Sequence, residues 1–336
     1  MNTLEEQYEY LIEQLSTKDD YNNCAILYRN NISAIGIIEY LARNNIPFYM
    51  RDTRIRFFKH WILQDILCFF LLAQDTSHME SFEKIYFKMK GFISKKQLNY
   101  IKTLNYNDSI FSRLLNYPGL SRFYKKNFLE LKLDFKKLSK MNPYEGICYI
   151  EKNLEYEDYL RESCMKLGHT LDSLKSILYF IKIIASKTKD FSTFVGRLKY
   201  LEYLCTQSKN IKSGVTLSTI HSAKGLEAEI VHSLNLNPAS FPSSRTILQG
   251  EGAIEEERRC LYVALTRAKN SLKLYRNIRS LHTQYTDANR HEQLYFLNNL
   301  PAHLVKILVN GQEKKDFPLP FNSTQTEADF PDFDFG

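Results

Sequence analysis

The chain has 336 residues, 44% of them hydrophobic, and a formal net charge of +7. That length suits two domains, and the apolar content is ordinary for a soluble globular protein. No uncharged apolar run reaches the roughly 18 residues a membrane span needs. The opening MNTLEEQYEYLIEQL is acidic and amphipathic, unlike a signal peptide. The cysteines (Cys24, Cys68, Cys148, Cys164, Cys205, Cys260) form no C-x-x-C pair and no zinc spacing, and read as reduced thiols of a cytoplasmic protein.

In chain order, Leu4, Tyr8, Leu11, Ile12 and Leu15 share one face and predict a helix over 4–16. The apolar run Cys24 to Tyr28 predicts a strand ending at Arg29-Asn30-Asn31. Ser33 is placed as the N-cap of a helix carrying Ile35, Ile38 and Leu41 at helical spacing. Ile46-Pro47-Phe48-Tyr49 starts another strand. Ligands of open parallel sheets bind at the carboxyl ends of strands. Arg29 therefore lies within reach of a nucleotide phosphate, and Tyr28 offers a ring to a base.

From Phe57 the pattern turns helical. Ile62, Leu63, Ile66, Leu67, Phe70, Leu71 and Leu72 suit a buried helix. Further helices are predicted over 82–89, 95–103, 109–115, 143–153, 156–167, 173–185 and 191–205. Between Lys84 and Lys140 there are 14 Lys/Arg against 3 Asp/Glu, a local +11, with lysines and aromatics interleaved through Arg122-Phe123-Tyr124-Lys125-Lys126. Such a block reads either as a nucleic-acid contact or as a solvated helical face.

Lys209 to Gly214 is polar and precedes VTLSTIHSAKGLEAEIVH, from Val215 to His232. Strands are predicted over 215–220 and 230–236. The loop between them carries Thr219, His221, Ser222, Lys224, Gly225 and Glu227, a phosphate-binding layout that is also compatible with a surface turn. Pro238 to Gly252 reads as a loop. Glu255 to Ala264 reads as a helix with an acidic start, as the helix dipole favours. Arg267 follows it, either as a solvated helix end or aimed at a phosphate. Ser271 to Tyr275 is the last predicted strand and Glu292 to Leu300 a short helix. The segment 313–336 holds 6 acids against 2 lysines and lacks a core pattern, so it reads as a disordered acidic tail.

Nucleoside triphosphate hydrolysis needs a phosphate cradle and a magnesium site. No G-x-x-x-x-G-K-[ST] run is present, and no apolar strand ends in an Asp-Glu pair.

The ordered runs ILYRNN, TIHSAKGLE and EEERRCLYVALTRA nonetheless resemble the C-terminal half of UvrD/PcrA/Rep-type superfamily 1 DNA helicases. The likeness extends from about Glu6 to Leu300 and implies an α/β, RecA-like parallel-sheet domain with an inserted all-helical domain. On this likeness residues 1–58 and 209–312 form the RecA-like domain and 59–208 the insertion. It implies that Arg267 is an arginine finger and Arg29 a second γ-phosphate contact, both counted as catalytic. Tyr28 looks like an adenine-stacking residue, Glu227 like a ribose contact, and Gly225 lies close to the nucleotide. Thr219 and His221 look like contacts to the single-stranded DNA backbone. Ala228 departs from the family, which commonly has phenylalanine there. The implied cofactor is ATP at a shared site, its Mg2+ held by the half that carries the P-loop. The implied partners are single-stranded or partly duplex DNA and a separate P-loop-containing half. The expected function is the C-terminal portion of an ATP-dependent 3′–5′ helicase, inactive alone. The alternative is a non-catalytic DNA-binding or protein-interaction module.

Overall fold

The computed structural model describes residues 3–17, 20–52, 55–104, 108–167, 170–211, 213–236, 242–276, 296–299, 306, 308–309 and 312–313. The chain divides into two compact units. One comprises Met1–Asn30, Ile46–Arg51 and Lys212–Gly336; the other comprises Asn31–Asn45 and Asp52–Ile211.

The first unit is built on strands β1 (Cys24–Tyr28), β2 (Phe48–Met50), β3 (Val215–Thr219), β4 (Ala228–Ser233) and β5 (Ala268–Leu274). They lie in the order β2-β3-β1-β4-β5, and every neighbouring pair is parallel. This is the α/β parallel sheet that the sequence predicts. The central β1 is buried along its whole length, which is why it reads CAILY without alternation: a parallel strand covered on both faces needs apolar side chains on both. Helix α1 (Leu4–Ser16) also follows its pattern. Thr3 accepts from the Glu6 N–H at 3.2 Å, and Leu4, Tyr8, Leu11, Ile12 and Leu15 are buried.

Some boundaries differ from the sequence reading, each for a local reason. β4 ends at Ser233 instead of 236, followed closely by Asn235 at φ 56, in the left-handed region. Residues 244–249, read as loop, form a short helix (Ser244–Gln249), because the Ser243 hydroxyl accepts from the Thr246 N–H at 3.2 Å. The next helix (Glu251–Leu265) begins before the predicted 255, directly after Gly250 at φ 93. β5 begins at Ala268, earlier than 271, because Ala268 pairs with Ala228. Of the helix predicted over 292–300, the described part is a 3-10 turn, Phe296–Asn299. Leu308–Val309 and Gln312–Glu313 pair antiparallel. The acidic segment beyond Glu313 lies outside the described residues.

The second unit is helical. It contains α2 (Ala34–Arg43), α3 (Trp61–Gln74), α4 (Met79–Ile85), α5 (Lys95–Lys102), α6 (Ile110–Leu115), α7 (Arg122–Leu138), α8 (Pro143–Asn153), α9 (Tyr156–Leu167), α10 (Leu171–Ala185) and α11 (Phe191–Gln207). Back in the first unit, Ser244–Gln249 and Glu251–Leu265 follow as α12 and α13. Ser33 stands at the N-cap of α2 without capping it, since its backbone is already helical at φ −62, ψ −22. The sequence reading passes over α7, whose buried Phe128, Leu131, Phe135 and Leu138 sit among lysines at helical spacing.

Buried charges in this unit are paired. The Asp65 carboxylate accepts from Lys88 Nζ at 2.7 Å and from Tyr156 Oη at 2.8 Å; burial still raises its pKa. Glu39 takes Arg197 Nε at 2.8 Å and Arg43 Nε at 2.5 Å. The basic block is partly consumed in the same way. Lys84, Lys88, Lys90 and Lys102 pair with Glu80, Asp65, Asp134 and Glu83, and Arg113 is buried, donating to the Ile101 carbonyl at 3.0 Å.

Candidate functional site at two edges of the sheet

The strand register fixes where each predicted site residue goes. Tyr28 closes β1 opposite Thr219, the last residue of β3. Arg29 and the turn after Thr219 therefore emerge together at the carboxyl edge. Glu227 and Arg267 instead precede Ala228 and Ala268, which open β4 and β5 and pair with each other. Because β4 and β5 run parallel to β1, that point is the opposite, amino edge. Ala228 lies two residues before Ile230, which pairs with Cys24, and Tyr28 lies four residues beyond Cys24, so the separation along the strands is on the order of 20 Å.

The carboxyl edge gathers Arg29, Thr219, His221 and Ser222, all read from the sequence as part of this loop or strand end, with Glu257, which the sequence reading does not single out. The Thr219 hydroxyl accepts from the Ser222 N–H at 3.2 Å and donates to Ser222 Oγ at 2.9 Å. This Ser/Thr turn starts the 3-10 turn His221–Ala223. It presents the imidazole, whose Nε2 lies 3.4 Å from Arg29 Nη1. Arg29 forms a salt bridge with Glu257 of α13; the two side chains are only 19% and 5% exposed. Glu257 Oε2 also accepts from the Ser243 N–H at 3.4 Å. Desolvation lowers the Arg29 pKa against the opposing pull of Glu257. Desolvation, then the Arg29 charge, lowers that of His221.

Glu257 was legible after the fact. Ile254, Glu257, Leu261 and Ala264 share one buried stripe of α13. A carboxylate on an apolar stripe needs a cation, and Arg29 supplies it. The two acids before it, Glu255 and Glu256, lie off that stripe and are not buried.

The amino edge gathers Gly225, Glu227 and Arg267, with Lys269. Gly225 has φ +75 and open space where a Cβ would stand. Glu227 is 65% exposed and pairs with Lys269 Nζ at 3.0 Å. That hydrogen bond, with the Lys269 and then the Arg267 charge behind it, lowers the carboxyl pKa. Arg267 lies back on its own helix end: Nε donates to the Val263 carbonyl at 2.7 Å and Nη2 to Thr266 Oγ1 at 3.0 Å. Its backbone carbonyl accepts from the Ala228 N–H at 3.1 Å, tying α13 to β4. Ala228 is buried in the core with Ala25, Val231 and Ala264.

The structure thus separates Arg29 from Arg267, which the sequence reading had joined on one phosphate. The strand direction between them is the reason. Tyr28 is buried at the end of β1.

Residues 1–277 match the family model of the UvrD-like helicase C-terminal domain. The chain belongs to this family. Its relatives include the putative ATP-dependent DNA helicase YjcD of Bacillus subtilis, 31% identical over 74% of this chain and 33% of that protein. The ATP-dependent DNA helicase PcrA of Staphylococcus epidermidis is 25% identical over 99% of this chain and 49% of that protein. The Bacillus subtilis PcrA is 25% identical over 89% and 42% respectively. The chain spans a third to a half of the length of these relatives. No helix among the described residues is long and apolar enough to cross a membrane.

Proposed function

We propose that this chain supplies the second wall of an ATP-dependent DNA helicase, with DNA gripped at the carboxyl edge of the sheet and ATP met at the amino edge. The observation that carries the reading is the segregation of the two clusters. Arg29, Thr219 and His221 offer a cation, a hydroxyl and an imidazole at one end of β3. The short loop 220–227 then delivers Gly225 and Glu227 to the other end, beside Arg267. One loop thus touches both ligands, and movement at one is felt at the other.

The amino-edge residues fit a nucleotide. Glu227 is an exposed acceptor suited to ribose hydroxyls, Gly225 lets a ligand approach the backbone, and Arg267 is a guanidinium suited to a terminal phosphate. ATP bound there supplies the phosphoanhydride whose cleavage drives movement. Arg267 must leave Val263 and Thr266 to act, which makes it a finger withdrawn until a phosphate competes for it. The phosphate cradle and the Mg2+ ligands come from a P-loop-bearing partner or segment. The Arg29–Glu257 pair holds the guanidinium beside His221, which supports a DNA-phosphate role for Arg29 in this reading. The family likeness supports translocation in the 3′–5′ sense.

A second reading, a non-catalytic DNA-binding module, is favoured by the resting hydrogen bonds of Arg267. DNA-stimulated ATP turnover separates the two. The chain alone is expected to show none. Mixed with a P-loop-bearing half, it is expected to support turnover that Arg267→Ala lowers about 10³-fold or more. Turnover by the chain alone, abolished by Arg267→Ala, contradicts the proposal.

A further inference from the structure

Helix α7 carries two apolar stripes. One, formed by Phe128, Leu131, Phe135 and Leu138, is buried. The other faces solvent: Leu129 and Leu133 are 45% and 57% exposed and stand one helical turn apart. Each of these leucines has one lysine three residues away and another four residues away. For Leu129 they are Lys126 and Lys125; for Leu133 they are Lys136 and Lys137. At about 100° per residue, Lys125 and Lys136 line one side of the leucines and Lys126 and Lys137 the other. All four lysines are exposed.

Elsewhere in the basic block the charges are taken up inside the unit, Lys88 by Asp65 at 2.7 Å and Lys90 by Asp134 at 2.8 Å. The outer face of α7 differs. Lys126 meets Glu130 at 3.8 Å, a loose pair between exposed groups. No carboxylate among the described residues pairs with Lys125, Lys136 or Lys137. A solvated face accounts for the lysines but not for the leucines between them. A phosphate backbone also accounts for the lysines, yet it would bury the leucines against charge. The pattern fits an occupant that is apolar along its middle and acidic at its flanks. The sequence holds such a segment outside the described residues: 326–336, TEADFPDFDFG, has four acids and no lysine or arginine.

We propose that the face of α7 between the two lysine rows is the docking site of this acidic segment. Asp and Phe alternate from Asp332 to Phe335. In an extended backbone Phe333 and Phe335 fall on one side, about 7 Å apart. Leu129 and Leu133 are about 6 Å apart along their helix. The two phenylalanines therefore cover the two leucines. Asp332 and Asp334 come within reach of the lysines, whose long stems rise past the leucines on both flanks. Pro331 biases Phe330 to the extended backbone this fit needs. While docked, the segment screens four lysines of the basic block from any other polyanion.

The test uses the full chain with Phe333→benzoylphenylalanine, irradiated at low salt, with the crosslinks mapped by mass spectrometry. The expected crosslinks concentrate on α7 between Lys125 and Lys137. Their yield is expected to fall about fivefold or more in Leu129→Ser/Leu133→Ser and in Lys125→Glu/Lys136→Glu. All four positions are exposed, and circular dichroism checks that both variants fold. Crosslinks spread over other elements overturn the proposal, as does an unchanged yield in either variant. If Lys125→Glu/Lys136→Glu lowers single-stranded DNA affinity while the crosslinks persist, the face belongs to nucleic acid and the proposal is again overturned.

Discussion

Replacing Glu257 by alanine leaves the Arg29 guanidinium beside His221 with its carboxylate removed. Breaking a fully buried pair by deleting one partner costs about 3–5 kcal/mol, whereas an exposed pair is worth about 0–1 kcal/mol. Glu257 is 5% exposed and Arg29 19%. The cost therefore sits near the lower end of the buried range, about 3 kcal/mol. Glu257→Gln keeps the shape and an acceptor for the Ser243 N–H, and is expected to cost about 1–2 kcal/mol. Urea unfolding followed by circular dichroism, on both single alanine variants and on Arg29→Ala/Glu257→Ala, gives the coupling. A coupling of about 1.5–3 kcal/mol is expected for residues in direct contact. Additive effects within about 0.5 kcal/mol would refute the idea that Glu257 holds Arg29 in place.

The amino edge gives its own expectation. Gly225→Ala meets open space but a φ of +75, so it should cost about 1–2 kcal/mol from backbone strain alone and weaken binding of a fluorescent ATP analogue to the reconstituted protein. Gly214→Ala is different in kind: a Cβ there would stand 2.7 Å from the Pro47 carbonyl oxygen, a backbone atom. It is expected to lower the melting temperature by disturbing the β2–β3 pairing, at about 1–3 kcal/mol. His221 gives a pH dependence. Its folded pKa is depressed, so the folded state binds fewer protons than the unfolded chain. Stability is complete above the ordinary imidazole value of about 6.5 and falls as the pH drops below it. Bound phosphate offsets the Arg29 charge, so single-stranded DNA affinity should rise over the same interval; His221→Asn should flatten both profiles, and unchanged profiles would count against the assignment.

What the sequence made legible follows from how local each signal is. β1 and α1 matched to the residue because their apolar patterns are dictated by burial on both faces and on one face respectively. α7 was hidden because its buried Phe128, Leu131, Phe135 and Leu138 are diluted by lysines that suit solvent. The motif residues announced themselves by type, but their grouping did not. Whether Arg29 stands beside Arg267 depends on strand direction and register, which no local spacing encodes. Glu257 hid in an acidic run that reads as a helix-dipole contribution, and only its place on the apolar stripe of α13 marks it as a counterion.

The central claim is that two edges of one sheet carry two different ligands. The most direct measurement is the salt dependence of single-stranded DNA affinity for the native chain, Arg29→Ala and Arg267→Ala. Losing one phosphate contact should reduce the slope of log K against log salt by about 0.7 for a single strand. Arg29→Ala is predicted to lose that increment, and Arg267→Ala to keep the native slope. An equal loss from Arg267→Ala, or none from Arg29→Ala, would contradict the account.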